Sequence, residues 1–105
     1  MAAPLENAAM PHAIVCKRLL ISGRVQGVAY RITMVDVAER LGVQGWVRNR
    51  VQGDVEAMVE GAPDAVEGII EWARRGPSLA IVENVRIEDA PVEHFTHFET
   101  LPTHH

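Results

Sequence analysis

A glycine-rich stretch that ends in arginine is the part of this chain best suited to bind an anion. It reads Gly-Arg-Val-Gln-Gly-Val-Ala-Tyr-Arg over residues 23–31. Gly27 can adopt positive φ without a Cβ clash, so the chain can turn tightly there and bring consecutive backbone N–H groups together. A helix that follows adds unpaired N–H groups and the positive end of its dipole, and Arg31 adds a planar fork of donors that matches two phosphate oxygens. The stretch therefore predicts a phosphate-binding loop, although a tight strand–helix connection with a solvated arginine fits the same residues.

A second stretch places a carboxamide at the end of a predicted strand. Residues 45–49 read Gly-Trp-Val-Arg-Asn, and Gly-Asp-Val at residues 53–55 begins the next strand after a short turn. The Asn49 side chain carries one acceptor and two donors, so it can hold a water molecule and orient it. Asn is also common in turns, so a purely capping role is the alternative interpretation.

Together the two stretches resemble the motifs of the acylphosphatase family. The first motif fits from Ile21 to Arg31, except that Tyr30 stands where the family usually has Phe. The likeness runs over residues 17–100 and includes Gly76-Pro77 and Phe98. The second motif is matched at Gly45, Trp46, Val47, Asn49, Gly53, Val55 and Gly61.

The resemblance implies an enzyme that hydrolyses small acyl phosphates to a carboxylate and inorganic phosphate. It implies that Arg31 binds the phosphoryl group and that Asn49 orients the attacking water. Because a carboxylate leaves as a stable anion, the reaction needs neither a general acid nor a metal, and stabilising charge on the phosphoryl oxygens is the main task. Asn49 cannot accept the proton of the water, so we expect a phosphate oxygen to take it. The residues expected to bind the phosphate are Gln26, Gly27, Val28, Ala29, Tyr30 and Arg31.

Two features qualify this transfer of roles. Arg50-Val51-Gln52 replaces the more polar turn often found beside the family's asparagine, and residues 101–105 extend past the last predicted strand. Arg24 is expected to face solvent.

A different class of function is also open, since domains with the ferredoxin-like fold, which the order of elements predicts, often bind small effectors or partner proteins without catalysis. The presence of both Arg31 and Asn49 argues for catalysis, because anion binding alone does not require a water-orienting amide.

Composition and charge exclude several classes of partner. The chain of 105 residues allows one domain, and 48% hydrophobic with 23% charged residues is typical of a globular protein. A net charge of −4 and few aromatic residues argue against nucleic acid. No apolar run is long enough for a membrane span, and no signal peptide is visible. We expect a cytoplasmic monomer without a cofactor, whose ligands are an acyl phosphate substrate and phosphate or sulfate as competing anions.

The remaining reactive side chains do not suggest a second chemistry. His94 and His97 are three residues apart and His104-His105 follow later, but no Cys or carboxylate pattern converges with them, so we expect solvated histidines and no metal site. The single cysteine, Cys16, lies in a predicted strand and is expected to be a small buried residue.

Hydrophobic patterning supplies the elements that must position the two motifs. One helical face is predicted over residues 31–41 from Ile32, Val35, Ala38 and Leu41, and another, after Pro63, from Val66, Ile69, Ile70 and Ala73. Strands are predicted at residues 14–22, 43–49, 54–60, 80–88 and 95–100.

This order of elements predicts an α+β fold of the ferredoxin-like, split βαβ type. Both helices would cover one face of an antiparallel sheet. The expected organisation is a flexible leader at residues 1–13, an acylphosphatase-like domain at 14–100 and a tail at 101–105.

Overall fold

The computed structural model describes residues 13–105, so the predicted leader lies outside the described residues except for its last position. The elements are, in chain order, β1 (Val15–Arg24), α1 (Tyr30–Leu41), β2 (Gln44–Asn49), β3 (Val55–Gly61), α2 (Pro63–Ala73), β4 (Ile81–Asp89) and β5 (Phe98–Thr100). The predicted α+β fold is confirmed. Neither helix in this part of the chain is long and apolar enough to cross a membrane.

The five strands form one sheet in the order β4-β1-β3-β2-β5. The four longer strands pair antiparallel, as predicted. In contrast, β5 runs parallel to β2, with Gly45 opposite Phe98, so the sheet is mostly and not wholly antiparallel. β5 is also shorter than predicted, because the backbone N–H groups of Glu93 and Phe95 are bonded to the Glu60 carboxylate, at 2.7 and 2.9 Å, just before it begins.

The hydrophobic core lies where the sheet meets the helices. Val55, Ala57 and Val59 on β3 are fully buried in this core. Glu56 and Glu60, on the opposite side of the strand, are buried as well. On α2 the predicted face is confirmed in full, since Val66, Ile69, Ile70 and Ala73 are all buried. These residues belong to one continuous cluster.

The buried face of α1 differs from the prediction. Tyr30, Met34 and Ala38 are buried, whereas Ile32 is 72% exposed and Leu41 is 40% exposed. A helix advances about 100° per residue, so positions three apart drift by about 60° at each step and four of them spread over half the helix. The true face uses a spacing of four, which drifts less. Of the predicted stripe, Ala38 lies on this face and Val35 is partly buried against the core.

Gly45 occupies a place in β2 that no other residue could fill. Its φ is +139°, and a Cβ atom there would lie 1.8 Å from the carbonyl oxygen of Met58 on the neighbouring strand. The glycine of the second motif is thus required by close backbone approach.

Cys16 is buried, as expected, at 3% exposure. Burial, aided by the nearby Glu60 and Glu93 carboxylates, raises the pKa of its thiol to about 11. A thiol that stays protonated is a poor nucleophile, so Cys16 is a structural residue.

Candidate active site

The loop between β1 and α1 alternates in backbone handedness. Gly27 and Ala29 have φ of 76° and 66°, in the left-handed region, while Gln26 and Val28 do not. Such alternation points successive N–H groups into one concavity, which is the geometry of a backbone anion site. For Ala29 this conformation costs on the order of 1 kcal/mol, and strain of this kind persists where the surrounding structure imposes it, often at ligand sites.

The N–H groups of this loop have no acceptor among the residues that the structure describes. None of those from Gln26 to Arg31 donates a hydrogen bond to any residue in the described stretch. The helical ladder begins beyond them, where the Thr33 N–H donates to the Ala29 carbonyl at 3.2 Å. The loop is therefore a set of unused donors, together with the positive end of α1. We call residues 26–31, which the sequence predicts to bind phosphate, the phosphate loop.

Arg31 stands beside these donors. With Gly27 and Ala29 it lines a cavity of about 220 Å³, which also touches Val25, Tyr30, Ile32 and Thr100. The Arg31 side chain is half-buried and makes no ion pair with a carboxylate among residues 13–105. Its charge is thus available to an anion in the cavity.

Asn49 is the last residue of β2, where the strand holds its backbone firmly. It pairs with Val55 of β3, and its carbonyl accepts the His104 N–H at 3.0 Å. Its side-chain Oδ1 is buried and has no hydrogen-bond partner among the described residues. Because an unpaired buried acceptor costs about 1–3 kcal/mol, it needs a donor such as a water molecule or a ligand. Asn49 does not itself line the cavity beside Arg31.

The side chain of Gln26 brings the two motifs together. Its Nε2 donates to the carbonyls of Arg50 and Asp54, each at 2.8 Å. These carbonyls belong to the turn that directly follows Asn49, so the phosphate loop and the asparagine share one end of the sheet. Sequence reasoning assigned Gln26 only a backbone role, since a contact across 24 residues depends on the tertiary fold.

Tyr30, the departure from the family's usual Phe, has a structural explanation. Its buried hydroxyl donates to the Ala73 carbonyl at 2.7 Å, at the end of α2. In a continuing helix this carbonyl would accept from residue 77, but Pro77 has no N–H. Burial raises the pKa of Tyr30. The hydroxyl therefore caps α2, while the ring packs on Trp72 with centroids 5.0 Å apart.

A buried carboxylate organises the other face of the sheet. Glu56 accepts hydrogen bonds from Arg18 (2.7 Å), Arg48 (2.8 Å) and Arg50 (3.0 Å). Burial alone would raise its pKa, but the bonds to the three guanidinium groups outweigh burial and leave the pKa below its ordinary value. Arg50 of the divergent turn thus belongs to this cluster, which sequence reasoning missed because Arg18 comes from a distant strand.

The other predicted polar residues lie where they were expected. Arg24 is exposed, and so are His94, His97 and His104. In the described part of the chain, no group of three or more His, Cys, Asp or Glu side chains is placed to hold a metal ion.

Comparison with known proteins gives the family. A sequence model of the Acylphosphatase family matches residues 17–100. The chain is 50% identical over 91 residues to an acylphosphatase of Acidovorax sp. (strain JS42), covering 87% of this chain and 94% of the relative. It is 56% identical over 75 residues to that of Albidiferax ferrireducens, covering 71% and 82%. The solved structure of an acylphosphatase from Coxiella burnetii superimposes with a TM-score of 0.82 at 37% identity, covering 86% of this chain and 95% of that one.

Fold and relatives together define a hydrolase that acts on acid anhydrides. The chain belongs to the acylphosphatase family, and its reaction is the hydrolysis of acyl phosphates, as its motifs predict. The alternative of a binding module without catalysis is wrong.

Proposed function

We propose that this acylphosphatase acts on small acyl phosphates without a metal ion, and that the phosphate loop, Arg31 and Asn49 carry the reaction. The observation that carries the proposal concerns the N–H groups from Gln26 to Arg31, which have no partner among residues 13–105. They lie beside the Arg31 guanidinium, which forms no ion pair within the same residues. An arrangement of this kind offers several convergent donors to an anion that carries several oxygens.

The distribution of negative charge over the phosphoryl oxygens explains why no metal would be needed. In phosphoryl transfer, charge spreads over the three equatorial oxygens, and catalysis consists mainly of positioning and of electrostatic stabilisation. The loop N–H groups and Arg31 would supply that stabilisation from fixed positions. The leaving carboxylate departs as a stable anion, so no acid has to protonate it.

Asn49 would orient the nucleophile. The unpartnered Oδ1 would accept one hydrogen of a water molecule and direct the water's lone pair toward phosphorus. The bond from phosphorus to the water oxygen forms as the bond to the acyl oxygen breaks. The proton of the water passes to a phosphate oxygen, because the asparagine amide cannot accept it. The products are a carboxylate and inorganic phosphate.

Inorganic phosphate and sulfate would compete for the same donors, since they present the same oxygens as the substrate.

We infer that the enzyme works as a cytoplasmic monomer. The buried, unpaired Cys16 supports the cytoplasmic location, and the single continuous hydrophobic cluster within residues 13–105 supports a monomer.

A turnover assay with acetyl phosphate tests the metal-free reaction. We expect the purified enzyme to release phosphate at the same rate with and without a chelator. Loss of activity in chelator, restored by a divalent ion, would show that the proposal is wrong about the metal.

A pair of variants tests the division of roles. Arg31→Ala should lower kcat/KM about 10³-fold and weaken phosphate binding, because it removes a charge used in both ground and transition states. Asn49→Ala should lower kcat about 10²-fold, the scale on which misplacing a reacting group is felt, with phosphate affinity kept. Arg24→Ala, an exposed arginine of the same motif, is the matched control and should change neither.

Phosphate affinity in these variants can be measured by NMR titration of inorganic phosphate. The amides of residues 26–31 should shift first. Shifts centred elsewhere would count against the loop, and an Asn49→Ala variant that binds phosphate as weakly as Arg31→Ala would make Asn49 a phosphate ligand.

A further inference from the structure

The Gln26 side chain is the sole hydrogen-bonded link, within the described residues, between the phosphate loop and the turn after Asn49. Both of its Nε2 hydrogens are used, one on the Arg50 carbonyl and one on the Asp54 carbonyl, each at 2.8 Å. Since both partners are carbonyl oxygens, only the amide nitrogen can satisfy them, which fixes the orientation of the side chain.

These two carbonyls are the ones that close the turn. The Asp54 carbonyl accepts the Arg50 N–H at 2.8 Å, and the Arg50 carbonyl accepts the Gly53 N–H at 3.0 Å. The amide of Gln26 adds a second donor to each, so both carbonyls use two lone pairs. The turn between β2 and β3 is thus stabilised both by its own backbone hydrogen bonds and by the two hydrogen bonds from Gln26 of the phosphate loop.

The opposite side of the turn is fixed as well. The Arg50 guanidinium reaches Glu56 on the other face of the sheet, at 3.0 Å. The residue after Asn49 is therefore held by its side chain on one face and by its carbonyl on the other. Only the second of these contacts reaches the phosphate loop.

We infer that Gln26 is a positioning residue, whose side-chain amide sets the place of Asn49 relative to the phosphate loop. The inference rests on the proposed roles of that loop and of Asn49. The water and the phosphoryl group would be held by different elements, β2 and the β1–α1 loop. A bond between these two elements therefore fixes the distance between the water and the phosphoryl group. The backbone N–H of Gln26 binds the phosphate, and its side chain aligns the nucleophile.

Gln26→Met tests this role, because it keeps the length of the side chain and its backbone N–H while removing both donors. We expect kcat to fall roughly 10- to 100-fold, since a displacement of about 1 Å in a reacting group can cost 10²-fold. KM and the phosphate affinity measured by NMR should stay close to those of the parent. Gln52→Met is the matched control, an exposed glutamine in the same turn, and should leave kcat unchanged.

A double-mutant cycle separates positioning from general damage. If Gln26 acts through Asn49, then Gln26→Met should reduce kcat little further in an Asn49→Ala background. Full, additive losses in the double variant would overturn the inference, and so would a folded Gln26→Met variant with normal kcat. A loss confined to phosphate affinity would also overturn it.

Two further measurements keep the inference testable if Gln26→Met does not fold. Gln26→Asn keeps an amide but is one methylene too short to reach both carbonyls, and the same loss of kcat is expected. In the unmodified enzyme both Nε2 protons should exchange slowly with solvent, and fast exchange would overturn the bridge. Failure here is distinct from failure of the proposed function, which would appear as normal turnover in Asn49→Ala.

Discussion

Replacing Tyr30 by Phe restores the residue that the family usually has, and we expect it to destabilise this protein. The tyrosine is 1% exposed, and its hydroxyl is the donor on the Ala73 carbonyl at 2.7 Å. Phe keeps the ring against Trp72 but leaves that buried carbonyl unpaired, since Pro77 has no N–H to offer. Leaving a buried acceptor without a donor costs about 1–3 kcal/mol. The free energy of unfolding should fall by about 2 kcal/mol, and Tm by roughly 8 °C for a domain of this size.

Thermal and urea unfolding at pH 7 measure this effect, with the turnover of acetyl phosphate as a second readout. Turnover should be unchanged, because the hydroxyl contacts α2 and not the phosphate loop. Thr33→Ala is the control, since it removes an exposed hydrogen bond of the same 2.7 Å length from α1 and should change the stability little. A Tyr30→Phe variant as stable as the parent would refute the capping role.

Tyr30 also makes the stability of the folded protein depend on pH in the alkaline range. Burial raises the pKa of Tyr30 above its ordinary value of 10.0, so the unfolded chain loses this proton first as the pH rises. The folded state then binds more protons than the unfolded state, and the free energy of unfolding declines above about pH 10. That decline should be shallower in Tyr30→Phe.

Three other predictions concern residues that hold the fold. Glu56→Gln should cost about 3 kcal/mol in urea unfolding at pH 7, because the partly buried Arg48 and Arg50 lose their carboxylate and Arg18 keeps only Glu88. The exposed Glu88→Gln should cost under about 1 kcal/mol, and equal effects would contradict the central place of Glu56. Since the pKa of Glu56 lies below its ordinary 4.5, its contribution is present above that pH and should be lost as the pH falls further, giving Glu56→Gln a flatter stability profile in acid. Cys16, with a pKa raised from 9.0 to about 11, should react with iodoacetamide at pH 8 far more slowly in the folded enzyme than in urea, and rapid labelling of folded protein would contradict its burial.

How far the sequence predicts this molecule depends on how local each feature is. The apolar face of α2 was correct, because this helix buries one complete face and its period is visible in the sequence. In β3 the apolar positions are buried as predicted, but Glu56 and Glu60 between them are buried too, because ion pairs and hydrogen bonds from distant residues cover them. The predicted face of α1 was wrong because Ile32, which lines the cavity, is apolar yet 72% exposed. At this position the hydrophobicity of the side chain does not indicate that it is buried.

The motifs of the sequence predict which residues form the candidate site, but they do not predict the contacts of those residues. Positive φ at Gly27 can be predicted because the residue is glycine. Positive φ at Ala29 cannot, because alanine has no preference for the left-handed region. The Gln26 bridge and the Glu56 cluster join residues from separate strands, so only the folded sheet shows them.

The unpartnered N–H groups of the phosphate loop have a thermodynamic consequence for the enzyme in use. An anion that binds the folded loop, and not the unfolded chain, stabilises the fold by RT ln(1 + [L]/Kd), which is about 2.7 kcal/mol at a hundred times Kd. On the proposed function, the product itself is such an anion. The enzyme would therefore become more resistant to unfolding as phosphate accumulates, and its melting temperature in phosphate buffer would be that of a complex.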